Sequence, residues 1–331
     1  MEHVTMSVSD EPVLDTVRAG AMVARDNGCD VVLGLGGGSA IDTAKAVAAM
    51  ATQPSDVLEY LEVIGRGRPL VAPPLPCVAV PTTAGTGSEV TKNAVLGSRE
   101  HRVKASLRSP AMLPRVAIVD PELTLSLPRD VTAATGLDAL AQLVEPFVST
   151  KRQPLTDALC RAALARIGPA IRTACDRPDD LRAREAMSFA SLCSGMALAN
   201  AGLGAVHGFA GPIGGMFPAP HGAVCAVLLP GVMEANIAAA RSLGDDDVLG
   251  RYTEIARILT NAPSAAPEDG AAWVRALVQD LAIPPLSSFG VTPAVIQELV
   301  GTAKNTSSMK GNPLPLSDDT LTAILRQATD R

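Results

Sequence analysis

Two of the chain's four histidines lie within one glycine-rich segment, residues 200–226. His207 is predicted to close a helical pattern that begins near Arg184, and His221 follows Pro220 at the predicted start of the next helix. A single imidazole in an apolar segment is often a satisfied core residue. Two of them at neighbouring helix ends favour metal binding, because neutral imidazoles are common ligands and unpaired buried polar groups are costly.

A metal held by imidazoles also needs an oxygen ligand, and the first helical pattern of the second half offers one. Asp138 and Gln142 are four residues apart, which places them on one helix face, and Glu145 follows just before Pro146. An acid is also favoured near a helix N-terminus for electrostatic reasons alone. Asp138 is therefore either the missing carboxylate ligand or an ordinary helix-start acid.

A glycine-rich turn follows the first predicted strand, residues 31–33. The turn spans residues 34–39, and residues 40–51 are predicted to form a helix, with Ser39 and Asp42 spaced as a capping box. Backbone N–H groups at such a helix start can bind a pyrophosphate, which the helix dipole also favours. Ser39 stands where a third glycine would complete GxGxxG, so an ordinary tight turn is the alternative.

Two further predicted strands complete the first half of the chain. Residues 77–80 run into a loop rich in hydroxyl side chains, residues 81–91, which either line the same ligand or cap a helix. Residues 116–119 form the third strand, and helical patterns follow it. We expect an α/β domain, residues 1–127, with a mostly parallel sheet, and a helical domain, residues 128–331. The glycine turn and the hydroxyl loop should meet at the carboxyl ends of their strands.

Composition excludes several classes of function. The chain has 331 residues, 47% of them hydrophobic, and a net charge of −6, which argues against nucleic-acid binding. Aromatic residues are 2% of the total, which disfavours base stacking. The sequence contains no apolar run long enough for a bilayer and no evident secretion signal. Six cysteines without a CxxC pair indicate thiols in a reducing cytoplasm rather than disulfides or a zinc site formed by cysteines.

Several motifs together resemble the iron-containing alcohol dehydrogenases. These are GGGSAIDTAKA (36–46), PTTAGTGSEVT (81–91), TGLDAL (135–140), AVHGFAGPIGGMFPAPHG (205–222) and SSMKGNP (307–313). They occur in order and cover nearly the whole chain. The resemblance implies a Rossmann-like NAD(P) domain followed by an all-α domain, in a dehydroquinate synthase-like architecture. It also implies a divalent metal in the cleft between the domains, and a homodimer.

The resemblance further implies the residues of the site. Asp138, His207 and His221 would be the metal ligands and the catalytic centre. NAD or NADP would be lined by Gly37, Gly38, Ser39, Asp42, Thr82, Thr83, Thr91 and Lys104. One carboxylate and two imidazoles suit Fe²⁺ first and Zn²⁺ second. The metal would polarise the oxygen of a small primary alcohol or aldehyde while a hydride is exchanged with nicotinamide.

Three positions or segments depart from the family pattern. The family usually has histidine where this chain has Gln142, and often where it has Gly211. Gln142 is expected to supply a weak neutral fourth ligand and to retain metal less tightly than histidine would. Family members also carry a strand and helix before the point where this chain begins, so the first βα unit is expected to be missing and the chain to be poorly soluble or cofactor-free.

These departures leave two alternatives open. One is a metal-independent NAD(P)H reductase resembling the maleylacetate reductases, which the lost histidine at Gln142 favours. The other is an inactive truncated homologue, which the early glycine turn favours. The choice between NAD and NADP stays open, because the family's ribose-binding acidic residue lies in the segment that precedes this chain's first residue.

Overall fold

The computed structural model describes residues 2–9, 11–98, 100–101 and 103–330. The chain packs as two units, Met1–Thr83 with Gly87–Leu123 and Ala84–Thr86 with Thr124–Arg331. Each unit has its own buried hydrophobic core. The domain boundary predicted after residue 127 stays a prediction.

Among its described residues, the first unit contains a small parallel sheet and two α-helices. Their elements are α1 (Leu14–Asp26), β1 (Val32–Gly36), α2 (Gly38–Met50), β2 (Cys77–Pro81) and β5 (Val116–Ala117). The strand order in the sheet is β1-β2-β5. Helix α2 follows β1 directly and packs against both β1 and β2. The predicted order of strand, glycine turn, helix and strand is confirmed.

The glycine turn and the hydroxyl loop lie at the same edge of this sheet. Parallel pairing aligns Gly36 with Pro81, so β1 and β2 end side by side. The N–H of Thr82 donates to the carbonyl oxygen of Gly36 at 2.9 Å. A Cβ added to Gly37 would lie 3.2 Å from the methyl carbon of Thr83. The two segments therefore meet where open α/β sheets bind ligands, as predicted.

The capping box predicted for α2 is wrong. The helix starts before Ser39, and its N-cap is Gly37, which has no side chain to cap it. The carboxylate of Asp42 points elsewhere: Oδ2 accepts from the N–H of Val95 at 2.8 Å, and Oδ1 lies 2.9 Å from Lys45 Nζ. A buried ammonium attracts a carboxylate more strongly than exposed helix N–H groups do, and the acid is therefore drawn away from the cap.

An antiparallel hairpin also belongs to the first unit and was not predicted. It consists of β3 (Asn93–Ser98) and β4 (Val103–Arg108). Ala94 pairs with Leu107, and both side chains are buried in the core of the first unit. Buried positions alternate along β3, but the exposed Val95 is apolar and the buried Ala94 is small, so the sequence gives only a weak strand signal.

One face of the parallel sheet exposes large apolar side chains. We call this the outer apolar face; its members are Leu33, Leu35, Val116 and Ile118. Leu33 is 60% exposed and Leu35 is 58% exposed. Gly34, between them, faces α2, where an added Cβ would lie 2.8 Å from Ala44 Cβ. Exposed contiguous apolar surface of this kind favours association.

The second unit is helical, and no strand is assigned to any described residue after Ala117. The prediction of a helical second domain is confirmed. Helix α3 is the central element and packs against α4, α5 and α7. The helices are α3 (Arg129–Val148), α4 (Pro154–Asp176), α5 (Leu181–Ala201), α6 (Ala205–Met216), α7 (His221–Leu243), α8 (Asp246–Thr260), α9 (Pro267–Asp280), α10 (Ile296–Ala303) and α11 (Asp318–Thr329).

Helix α7 is the most apolar long helix of the described chain. Its length and composition would allow it to cross a membrane, yet 78% of its apolar window is buried inside the fold. Burial of this extent is typical of a core helix in a soluble protein. Its contacts with α3, α6, α9 and α11 account for that burial.

The helical pattern that precedes His207 is interrupted. Helix α5 ends at Ala201, Gly202 adopts a left-handed φ of +70°, and α6 starts at Ala205 after a bend of 99°. His207 therefore lies in the first turn of a new helix, and the prediction that it closes the preceding one is wrong. The alanine-rich pattern continues across the bend, so the sequence alone does not separate two helices from one. The break is visible only in the structure, in the positive φ of Gly202.

Candidate metal centre

Three polar side chains project from one face of α3 at successive turns. Asp138, Gln142 and Glu145 are spaced by four and then three residues, and all are buried among the apolar side chains of the second unit. A buried polar group is costly unless it is hydrogen-bonded or paired. The partners of these three side chains therefore define what the site can do.

The N-terminal turns of α6 and α7 bring two imidazoles to Asp138. His207 Nε2 lies 3.3 Å from Asp138 Oδ1, and His221 Nε2 lies 3.8 Å from the same oxygen. Gly222 permits this approach, because an added Cβ there would lie 2.3 Å from the carbonyl oxygen of Ala134 on α3. The structure thus brings together three of the four side chains for which a ligand role was expected.

A fourth donor joins this group. Cys225 follows His221 by one helical turn on α7 and is fully buried. Its Sγ lies 3.6 Å from His207 Nε2 and 3.7 Å from His221 Nε2. One donor atom from each of these residues and Asp138 lies within 4.8 Å of the others. The four-residue spacing of His221 and Cys225 indicates a shared helix face, although the missing CxxC pairs had pointed away from a thiol ligand.

Gln142 lies next to this group rather than inside it. Its Nε2 donates to Asp138 Oδ2 at 3.1 Å, and its Oε1 accepts a long hydrogen bond of 3.5 Å from Ser194 Oγ. The amide nitrogen, which cannot bind a metal, therefore faces the carboxylate. Ligation by the Gln142 oxygen would require the amide to turn over, and this ligand role stays a prediction.

Glu145 holds His207 from the side opposite Asp138. Glu145 Oε2 lies 2.6 Å from His207 Nδ1, and Oε1 accepts from the N–H of Val206 at 2.7 Å. An added Cβ on Gly204 would lie 2.9 Å from Oε1, so a side chain there would crowd the carboxylate. A carboxylate on the far nitrogen of a ligand histidine fixes the ring and its tautomer. The seven-residue spacing from Asp138 could have indicated this role from sequence.

The charges of this group shift one another's pKa values. Burial acts to raise the pKa of Asp138, but the attraction of His221 and the hydrogen bond from His207 outweigh it and lower the pKa to about 2. Burial acts to lower the pKa of His207, but attraction to Cys225 and hydrogen bonds to Asp138 and Glu145 raise that pKa well above its ordinary value. Burial also acts to lower the pKa of His221, but attraction to Cys225 and to Asp138 outweighs it and raises that pKa. The pocket therefore favours positive charge.

The donor set suits a divalent transition metal. Imidazole nitrogen, carboxylate oxygen and thiolate sulfur are the donors that Fe²⁺ and Zn²⁺ accept in proteins. Asp138 and His207 are almost fully buried, whereas the side chain of His221 is 33% exposed. A small molecule would therefore reach the group from the side of His221.

The residues expected to bind the cofactor lie in the first unit and separate into two sets. The first set lies where β1 and β2 end, in the glycine turn and the start of the hydroxyl loop. Its members are Gly37, Gly38, Ser39, Thr82 and Thr83. Backbone N–H groups at the start of α2 face this edge, which suits a phosphate group. Their role in cofactor binding stays a prediction.

The second set has side chains that already have protein partners. Asp42 and Thr91 both contact the buried ammonium of Lys45, whose Nζ lies 2.9 Å from Asp42 Oδ1 and donates to Thr91 Oγ1 at 2.9 Å. Lys104 Nζ lies 3.1 Å from Glu11 Oε1. These contacts give Asp42 and Thr91 a structural role in joining α2 to the hydroxyl loop. Any contact with a cofactor would come in addition.

Family models match almost the whole chain. The model described as "Iron-containing alcohol dehydrogenase" matches residues 2–121, and "Fe-containing alcohol dehydrogenase family, C-terminal" matches residues 132–329. Long-chain-alcohol dehydrogenase 1 of Geobacillus thermodenitrificans is 37% identical over 333 residues, which cover 98% of this chain and 82% of that protein. 1,3-Propanediol dehydrogenase of Klebsiella pneumoniae is 37% identical over 327 residues, 97% of this chain and 81% of that one.

Solved structures agree with these similarities. A crystal structure of 1,3-propanediol oxidoreductase has a TM-score of 0.88 and 36% identity, and the match covers 97% of this chain and 82% of that one. Sulfoacetaldehyde reductase from Bifidobacterium kashiwanohense, solved in complex with NAD⁺, has a TM-score of 0.84 and 32% identity over 97% of this chain and 81% of that one. The α/β first unit and helical second unit match this fold.

Proposed function

Because this chain belongs to the iron-containing alcohol dehydrogenase family, we propose that it is a metal-dependent NAD(P) oxidoreductase that interconverts a small primary alcohol and its aldehyde. We propose a metal-dependent activity because Asp138, His207 and His221 lie together in one largely buried group. Relatives named for long-chain alcohols and for 1,3-propanediol support an alcohol as the substrate class.

The second unit supplies the metal ligands and their supports. Asp138, His207 and His221 would hold a divalent ion, Fe²⁺ first and Zn²⁺ second. The bound ion would supply Lewis-acid chemistry by polarising the substrate oxygen. Glu145 keeps His207 Nε2 directed at the group through its contact with Nδ1. Gln142 binds Asp138 Oδ2 and leaves Oδ1 for the ion, or adds a neutral oxygen ligand if its amide turns over.

The first unit supplies the nicotinamide cofactor site. The N–H groups of Gly38 and Ser39 at the start of α2 would bind the pyrophosphate, and Thr82 and Thr83 would add hydroxyl donors beside them. Gly37 lets the backbone approach closely, and Asp42, Thr91 and Lys104 complete the proposed set. The NAD⁺ bound to the sulfoacetaldehyde reductase supports a nicotinamide cofactor, either NAD or NADP, for this chain.

We further assign the protein to the cytoplasm as a homodimer. All six cysteines are free thiols, which suits a reducing compartment. The net charge of −6 speaks against binding to nucleic acid or to an anionic membrane surface. The homodimer is carried over from the family resemblance.

The test is a substrate panel run with defined metal content. Aldehydes from short to long chain are offered with NADH or NADPH, after metal removal and after re-addition of Fe²⁺ or Zn²⁺. We expect oxidation of NADH or NADPH that requires the metal, and that is lost in His207→Ala but kept in His101→Ala, since His101 contacts Ser98 outside the site. Chelator-resistant turnover would favour the metal-independent reductase. No binding of either nicotinamide would favour an inactive homologue.

A further inference from the structure

We propose that Cys225 is a fourth ligand of this metal centre and that its sulfur makes the centre prefer Zn²⁺ to Fe²⁺. This inference rests on the metal-dependent function proposed above. It adds a donor, and it reverses the order of Fe²⁺ and Zn²⁺ that was given there for Asp138, His207 and His221 alone. Cys225 Sγ lies within 4.8 Å of the Asp138 oxygen as well as of both imidazole nitrogens.

Three of the distances between donor atoms are close to the edges of a tetrahedron, and the distance of 3.8 Å from His221 Nε2 to Asp138 Oδ1 is about 0.4 Å longer than the corresponding edge. Zinc–nitrogen and zinc–sulfur bonds of about 2.0–2.1 and 2.3 Å give tetrahedral edges of about 3.6 Å between sulfur and nitrogen, and about 3.4 Å between nitrogen and oxygen. Cys225 Sγ lies 3.6 Å from His207 Nε2 and 3.7 Å from His221 Nε2. His207 Nε2 lies 3.3 Å from Asp138 Oδ1. Right-angled ligands would be closer, at about 2.9–3.1 Å.

The position of Cys225 on α7 makes this geometry rigid. Side chains four residues apart on a helix are neighbours, so the start of α7 presents the His221 nitrogen and the Cys225 sulfur together. Cys225 is fully buried and cannot turn to solvent. Cys160 is equally buried, but it belongs to no cluster of three or more metal donors among the described residues. Burial of a cysteine therefore does not by itself place metal donors around it, as they are placed around Cys225.

The chemistry of sulfur determines the metal preference. Thiolate is a soft ligand that selects Zn²⁺, whereas carboxylate and imidazole alone discriminate less. Asp138, His207, His221 and Cys225 would give the ion four protein donors without any contribution from Gln142. Zinc centres can accept a fifth ligand, which would leave a position for a substrate oxygen that approaches from the side of His221, whose side chain is 33% exposed.

The direct test uses the full-length wild-type protein loaded with Zn²⁺ and needs no mutation. X-ray absorption at the zinc edge should show one sulfur scatterer at about 2.3 Å together with nitrogen and oxygen scatterers. Only nitrogen and oxygen scatterers would overturn the proposal. Protein loaded with Co²⁺ should show a thiolate-to-cobalt charge-transfer band in the near ultraviolet.

A pair of matched variants tests the same ligand. Cys225→Ser should lose the cobalt band, bind Zn²⁺ about 10–100-fold more weakly and lower the ratio of Zn²⁺ to Fe²⁺ affinity. Cys160→Ser replaces an equally buried cysteine and should change none of these readouts. Circular dichroism confirms that both variants are folded. A cobalt band and a zinc affinity unchanged in Cys225→Ser would overturn the proposal.

The outcomes also separate this proposal from the proposed function. Metal-dependent aldehyde reduction without a sulfur scatterer would leave the function standing and remove Cys225 from the ligand set. A sulfur scatterer in a protein that reduces no aldehyde would leave the ligand standing and contradict the function. Wild-type protein that binds neither Fe²⁺ nor Zn²⁺ would overturn both the metal-dependent function and the ligand role of Cys225.

Discussion

Glu145 Oε2 lies 2.6 Å from His207 Nδ1, and this contact directs the opposite nitrogen of the ring toward Asp138. The same carboxylate accepts the N–H of Val206, so Glu145 joins α3 to the start of α6. This carboxylate therefore lies at the N-terminus of α6, where a negative charge is favoured. Glu145 therefore acts as a positioning residue for His207.

Weakening this contact should weaken metal binding. Glu145→Gln keeps the size of the side chain but removes its charge, and we expect the affinity for Zn²⁺ to fall by about 10–100-fold. Competition with a chromogenic chelator measures the change. Asp157→Asn is the control, because Asp157 is a buried carboxylate paired with Arg251 away from the centre. Equal loss of affinity in both variants would attribute the effect to general destabilisation.

Replacing Gln142 should strengthen metal binding. Gln142→His puts an imidazole one helical turn from Asp138, and transition metals prefer that nitrogen to an amide oxygen, so we expect metal occupancy to rise on the order of 10-fold. Elemental analysis of purified protein provides the measurement. His207→Ala should lose metal in the same assay. Occupancy that falls in Gln142→His would mean that the hydrogen bond from Gln142 to Asp138 matters more than an added ligand.

Metal binding should strengthen as pH rises. The pKa of His207 in the metal-free protein is raised above its ordinary value of 6.5, so its proton stabilises the fold at low pH, and this stabilisation is lost as pH rises through the raised pKa. Metal must displace that proton, so the increase in Tm caused by Zn²⁺ should grow with pH above about 6.5, and binding should release protons.

Thermal unfolding with and without Zn²⁺ across this pH range measures the effect. The metal-free protein should lose stability as pH rises. The increase in Tm caused by Zn²⁺ should instead become larger over the same pH range. His207→Gln should reduce the pH dependence of the metal-free protein, and the raised pKa of His221 should account for the part that remains. A Zn²⁺-induced increase in Tm that is larger on the acid side would contradict the prediction.

The outer apolar face should limit solubility. Replacing both Leu33 and Leu35 with threonine introduces β-branched residues, which suit a strand, and removes exposed apolar surface. Self-association should therefore decrease, while each change alters the free energy of unfolding by only about 0.5 kcal/mol. Light scattering against protein concentration detects the change. Leu155→Thr alters a single exposed leucine of the second unit, 72% exposed, and should have little effect. Unchanged association in the double variant would exclude this face as its cause.

Local patterns in the sequence were sufficient to predict most of the secondary structure. The runs that became β1, β2 and β5, the helical second half and the helix start at His221 follow from spacing between near neighbours. The hairpin of β3 and β4 was missed because its small residues weaken the alternation. The bend at Gly202 was missed because alanine-rich sequence fits one helix or two.

The candidate metal centre also has some residues that the sequence predicted and others that only the structure revealed. Sequence singled out Asp138, His207 and His221, because their types and the surrounding motifs are local properties. The participation of Cys225 and the contact from Glu145 were decided by packing, since each depends on where α3, α6 and α7 meet. Gly222 lets α7 approach the backbone of α3. Helix periodicity determines which residues share a face, but only the packing of three helices determines which faces come within bonding distance of one another.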